Sequence, residues 1–277
     1  MTKQAMSRQA RTGPIIGVFD SGFGGLTVLR ALLPLIPGAR YIYLGDTARL
    51  PYGSKSQQTI ARYALSSAHF LEEQGAELLV IACNTATALA LDELKQALPI
   101  PVVGVIEPGA KAALASSARQ VLVLATDATV QSHAYTRELR ALGLPVSEKA
   151  CPLLVPLVEE GWIDHPVTAE VLRIYLTEAL AEAPGTSTLL LGCTHYPLLK
   201  PAIERTLAEL SHSLDIIDSA QATAQATAAL LPLDTDIATA DSNCTFYATD
   251  SIDKFQRLGG RFLGQPLAEV KLIDLGG

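Results

Sequence analysis

The chain has 277 residues, 49% of them hydrophobic, and its 28 acidic against 21 basic side chains leave a formal charge of -7. That length suits about two ordinary domains with sizeable cores. The acidic balance and the lack of a Lys/Arg cluster argue against a nucleic-acid partner, no apolar run reaches transmembrane length, and four widely spaced cysteines read as reduced thiols rather than disulfide staples.

Residues 1–12 are polar, carry Lys3, Arg8 and Arg11, and lead into no signal-peptide core. They read as a flexible tail on a soluble cytoplasmic protein. Residues 15–19 form a short apolar run of β-formers. It ends in Asp20-Ser21-Gly22-Phe23-Gly24-Gly25, after which residues 26–36 read as a helix. The glycines fit a tight strand-to-helix turn, but their spacing is not that of the dinucleotide fingerprint. A strand at 41–44 runs into a polar loop from Gly45-Asp46 through Pro51-Tyr52-Gly53. An amphipathic helix over 57–74 stops at Gly75. A strand at 78–82 precedes Cys83, a helix over 85–98 follows, and a strand at 101–105 closes the first half near Ile106.

A second cycle opens with a strand at 121–125, then Thr126-Asp127-Ala128-Thr129 and a helix over about 131–142. Residues 151–158 are apolar with two prolines and lead into Glu159-Glu160-Gly161-Trp162. A helix over 168–181, a strand at 188–191 before Cys193 and a helix over 201–210 complete the cycle. Asp20 and Thr126 each follow a first strand; Cys83 and Cys193 each follow a later one, at nearly the same offset. This is a weak internal repeat. A strand at 214–217, an alanine-rich helix over 220–231, a strand at 245–248 and a helix over 252–258 do not continue it. The predicted fold is α/β: two similar domains with parallel sheets facing each other across a cleft. Residues 13–106 with 215–277 form the first domain and 107–214 the second.

Both cysteines fall at the carboxyl end of a predicted strand, where open α/β sheets bind ligands. A helix start there favours thiolate over thiol. One alternative is two buried cysteines acting as small hydrophobes. Another is a metal site, but the paired-cysteine spacing of structural zinc is missing. Two thiols on opposite sides of a cleft can act as base and acid on the two faces of one carbon, which inverts a stereocentre. His195 is two residues from Cys193, so in extended backbone both side chains point the same way, and an imidazolium there would support the thiolate. Asp20 is either a partner for Cys83 or a turn residue. Ser21, Asn84, Thr85, Thr126, Thr129 and Thr194 are each good helix caps alone; together, at matched strand ends, they outline a polar cleft for carboxylates and an amine. Pro51, Tyr52 and Gly53 add loop contacts. Glu159 and Glu160 could also be a solvated helix start.

These motifs resemble the glutamate racemases of bacteria. The resemblance is carried by residues 17–28, by Gly45-Asp46 through Pro51-Tyr52-Gly53, by Ala82-Cys83-Asn84-Thr85-Ala86, by Pro152 through Glu159, and by Gly192-Cys193-Thr194-His195-Tyr196-Pro197-Leu198-Leu199. They lie in the family's order and extend from about Ile15 to Leu199. The resemblance implies a cofactor-independent racemase that interconverts L- and D-glutamate for peptidoglycan synthesis, with no metal. It implies Cys83 facing D-glutamate and Cys193 facing L-glutamate, with Asp20 and His195 in support. It matches the family's glutamate to Glu159, with Glu160 the alternative. Its substrate contacts match Ser21, Tyr52, Gly53, Asn84, Thr85 and Thr194; the match at Thr126 and Thr129 is looser. A homodimer is left open.

Rival readings stay in view. An aspartate racemase or related isomerase would share the two-thiol logic. A cysteine hydrolase would use one Cys/His pair and leave the other thiol unexplained. A hinged binding protein would bind an amino acid without exchanging its Cα hydrogen.

Overall fold

The computed structural model describes residues 13–231 and 243–276; the N-terminal tail lies outside them. In chain order the elements are β1 (Ile15–Asp20), α1 (Leu26–Leu35), β2 (Arg40–Gly45), α2 (Gln57–Glu73), β3 (Leu78–Ile81), α3 (Asn84–Ala97), β4 (Val102–Gly104) and α4 (Ile106–Ala115). The second half gives β5 (Val121–Ala125), α5 (Asp127–Ser132), α6 (Ala134–Ala141), β6 (Val146–Ala150), α7 (Leu154–Glu159), α8 (Pro166–Glu182), β7 (Thr188–Gly192), α9 (Lys200–Glu209) and β8 (Asp215–Asp218). Then come α10 (Ser219–Ala229), β9 (Asn243–Ala248), α11 (Ile252–Leu263) and β10 (Val270–Leu272).

The strands form two sheets, ordered β10-β9-β2-β1-β3-β4 and β6-β5-β7-β8, and every pairing among them is parallel. The stretch β2-β1-β3-β4 and the whole second sheet have the same order. In each, the direction of winding reverses between the first strand and the one that precedes a cysteine. A crevice opens at the carboxyl edge of such a switch point.

Side-chain alternation along the strands builds cores on both faces. Ile16, Val18, Leu78 and Val80 face a core that continues through α1, α4 and α10 into the second sheet. Phe19, Leu79 and Ile81 face the other way, under Ile60, Ala64 and Leu71 of α2 and Ala86, Ala90 and Leu94 of α3. The second sheet is apolar throughout its middle: Val121 to Ala125 and Leu189 to Leu191 are all buried.

The structure departs from the sequence reading in several places. α4 lies in a stretch for which the sequence offered no element; its Pro108 sits in the first turn, where proline is tolerated. The helix over 131–142 is two helices, split at His133, whose backbone is left-handed (φ 55°). β6 is polar and lies at a sheet edge, so it carries no apolar run. β8 pairs with β7, so the second sheet runs just beyond the boundary placed at 214. β9, at the strand expected over 245–248, joins the first sheet beside β2, and β10, which was not foreseen, extends it by one more strand.

Candidate active site

A cavity of about 420 Å³ opens where the carboxyl edges of the two sheets meet. Cys83 and Cys193 both line it, and both are nearly buried. Cys83 follows β3 and caps α3: its Sγ accepts from the backbone N–H of Ala86 at 3.5 Å and donates to Ser21 Oγ at 3.6 Å. Cys193 follows β7 in a turn, with a single helical turn (Tyr196–Leu199) before α9. Its Sγ lies 3.9 Å from His195 Nδ1. The two residues therefore converge through a turn rather than through extended backbone, since His195 has helical φ and ψ.

Burial pushes both thiols up rather than down. Cys83 rises to about 11, first because it is desolvated and then because Asp20 adds a like charge; the Ala86 N–H offsets only part. Cys193 also rises through desolvation, partly offset by the N–H of His195, and a Cys83 thiolate would raise it further. The expected help from helix starts is thus outweighed by loss of water. Burial therefore favours the protonated form of both sulfurs.

Asp20 is fully buried and stands behind the cavity wall. Its Oδ2 accepts from Gly22 N–H at 2.9 Å, and its Oδ1 accepts from the Thr194 hydroxyl at 3.4 Å. Desolvation raises its pKa, while the charge of His195 pulls the other way. Asp20 thus touches the turn carrying Cys193, and reaches Cys83 only through its charge. Gly24 and Gly25 make this approach possible. A β-carbon on Gly25 would lie 2.5 Å from Asp20 Cβ, so this glycine serves close packing within the first half, while Gly24 is the one that faces Thr194 and His195 across the cleft.

His195 Nε2 lies 3.4 Å from Glu159 Oε1, close enough for charge attraction but off line for a hydrogen bond, so that nitrogen has no bonded partner. Glu159 also accepts from Lys254 Nζ at 3.0 Å. Burial pushes Glu159 up, but His195 and Lys254 together bring it below the usual carboxylate range. Glu160 is exposed at the cavity mouth.

The remaining predicted residues gather here too. Thr85, Thr126 and Thr129 form a triangle of hydroxyls at 2.9, 3.2 and 3.0 Å that joins α3 to the start of α5. Thr85 and Thr126 face the cavity; Thr129, fully buried, holds them from behind. Asn84 Oδ1 accepts from Tyr135 OH at 2.6 Å, leaving a buried Nδ2 without a partner at the cavity wall. Pro51, Tyr52 and Gly53 form the outer wall. Tyr52 OH donates to buried Asp46 at 2.6 Å, and Thr249 donates to the other oxygen of Asp46 at 2.9 Å.

Sequence reasoning missed Asp46, Tyr135, Lys254 and Phe262. Asp46 lay inside a segment already singled out; the others carried no local signal. Among the described residues, no three His, Cys, Asp or Glu side chains gather as metal ligands, and no helix is long and apolar enough to cross a membrane.

Residues 24–227 match the family model described as Asp/Glu/Hydantoin racemase. A glutamate racemase of Koribacter versatilis (strain Ellin345) is 51% identical over 297 aligned residues, spanning 98% of this chain and 100% of the relative. The solved glutamate racemase of Francisella tularensis in complex with D-glutamate superposes with TM-score 0.85 at 34% identity, covering 95% of this chain and 98% of that one. The glutamate racemase of Thermus thermophilus in complex with β-chloro-D-alanine gives TM-score 0.82 at 42% identity, with coverage of 95% and 98%.

Proposed function

The chain belongs to the Asp/Glu/hydantoin racemase family and is an isomerase, and on that premise we propose that it interconverts L- and D-glutamate with two thiols and no cofactor. The observation that supports this most is the placement of Cys83 and Cys193 after corresponding strands of two like-wound sheets, at one cavity. Its role is to supply D-glutamate for peptidoglycan synthesis in the cytoplasm. The relatives' substrates favour glutamate over aspartate.

The substrate has two carboxylates and an ammonium. In this reading the free Nδ2 of Asn84, the N–H groups at the start of α3, and the hydroxyls of Ser21, Thr85, Thr126 and Thr194 hold its polar groups. Tyr52 and Gly53 close the outer side. The substrate ammonium brings a cation to two thiols that dehydration has made weak acids, and so lowers them. One thiol gives up its proton to water as the substrate enters; the thiolate so formed takes the Cα hydrogen as a proton, and the opposite thiol delivers its own. Cys83 acts on D-glutamate and Cys193 on L-glutamate. Asp20 and His195 trim the charge around each sulfur, and Glu159 orients His195. Fixed dipoles and exclusion of water stabilise the carbanion-like state.

The bodies that close are the two sheets with their helices, residues 13–106 with the C-terminal segment against 107–214 and β8. The test is the optical rotation of L-glutamate with purified protein, after dialysis against chelator and with nothing added. Decay to zero supports the reading. Activity that returns only with a metal or pyridoxal phosphate would sink the two-thiol mechanism.

A further inference from the structure

Lys254 sits in the first turn of α11, where a cation opposes the helix dipole, so local helix energetics do not call for it. Its neighbour Phe255 is fully buried against Phe23 and Tyr43, which ties α11 to the first sheet. From there Lys254 Nζ passes 5.5 Å above the Phe23 ring and donates to Glu159 Oε2 at 3.0 Å. Glu159 ends α7, on the other side of the cleft, and its second oxygen faces His195. The same α11 sets Phe262 edge-on to the His195 ring, centroids 5.1 Å apart. One helix of the first half thus braces both members of the Glu159–His195 pair of the second.

We propose that Lys254 is a positioning residue for proton transfer at Cys193, holding Glu159 aimed at His195 through an ion pair that spans the cleft. This rests on the racemase reading above. Glu159 is half-buried, and left alone its carboxylate would be pushed towards the neutral form. The groups facing it are His195 from the turn after β7 and Lys254 from α11, with exposed Glu160 beside it and Arg261 packed against Gly161. Removing Lys254 takes away the lysine that bonds the Oε2 of Glu159. The pair is only part-buried and Phe255 rather than Lys254 anchors α11, so loss of the lysine head group should leave the fold intact.

The test compares Lys254→Met and Lys254→Arg in the full chain. The expected result for Lys254→Met is a folded chain whose melting temperature falls by no more than a few degrees, a fall of about tenfold or more in kcat with a smaller change in KM, and an acid limb of the pH profile moved upward. Lys254→Arg, which keeps the charge, should recover most of the loss. A carbon-13 NMR titration of the Glu159 carboxyl, assigned with Glu159→Gln, should move upward in Lys254→Met regardless of turnover. An unmoved titration and pH profile, or Lys254→Arg no better than Lys254→Met, overturns the proposal. If the wild type fails to racemise glutamate while the titration moves as expected, the racemase reading falls and the ion-pair coupling stands.

Discussion

Gly24 and Thr194 meet across the cleft so closely that a β-carbon on Gly24 would lie 2.1 Å from Thr194 Oγ1 and 2.6 Å from His195 Nδ1. The backbone of Gly24 is not left-handed, so the demand here is for space alone. Thr27 of α1 adds a bond from its hydroxyl to the Thr194 carbonyl at 3.3 Å. Gly24→Ala should therefore displace the turn that carries Cys193 and His195. The expected cost is about 1–3 kcal/mol of stability and about a hundredfold in kcat/KM. Urea unfolding and steady-state kinetics check the two separately; wild-type activity would mean that the turn can shift freely.

The two thiols should divide the work by enantiomer. Cys83→Ser and Cys193→Ser should each cut racemisation by at least about a hundredfold, since a hydroxyl is too weak a base at neutral pH. Glutamate enantiomers are equally stable, so kcat/KM must fall alike in both directions and cannot reveal the division. Elimination of chloride from β-chloroalanine can, because it needs only the first deprotonation. Cys83→Ser should keep elimination from the L form and lose it from the D form, and Cys193→Ser the reverse. The same preference in both variants would refute the assignment.

Burial of Cys83 should appear in alkaline stability. Its pKa rises from 9.0 to about 11 on folding. The folded chain therefore keeps a proton that the unfolded chain releases. The stabilisation is complete below pH 9.0 and is lost as pH climbs through about 11, by roughly 2–3 kcal/mol in total. Urea midpoints of wild type and Cys83→Ser between pH 8 and 11 should differ in slope, the variant being flatter. Parallel curves would mean that the thiol is not desolvated.

Glu159 has the opposite sign. Its pKa is lowered on folding, so its contribution is present above the unfolded value of 4.5 and is lost as pH falls through the folded one. Glu159→Gln should flatten the acid arm of the stability curve and reduce kcat by about tenfold or more by freeing His195. Glu160→Gln, at an exposed side chain, should change neither. Equal effects of the two substitutions would contradict the pairing.

The Asp46–Tyr52 bond gives one more test. Asp46 is buried with two hydroxyl donors, and desolvation raises its pKa. Tyr52→Phe leaves that carboxylate short of a donor, at a cost of about 1–3 kcal/mol. Because the loop holding Tyr52 walls the cavity, KM for glutamate should rise more than kcat falls. An unchanged KM would show that the loop is fixed by its other contacts.

The order of most strands and helices and the two cysteines just past strand ends were legible in the sequence because each depends on local pattern; their convergence on one cavity was an expectation from the internal repeat. An apolar run such as 78–81 or 188–192 forms a buried strand, and the one or two residues after it, up to Cys83 and Cys193, must stand at the sheet edge. β6 and α4 were not legible: edge strands need no apolar run, and a proline in a first turn reads like a breaker. Only the tertiary structure decided that Lys254 and Phe262 reach the Glu159–His195 pair, since α11 meets them through folding of a distant segment. It also decided the direction of the thiol shifts. A helix start near a cysteine is visible in one dimension, but desolvation sums over every neighbour that displaces water, and those neighbours come from both halves of the chain.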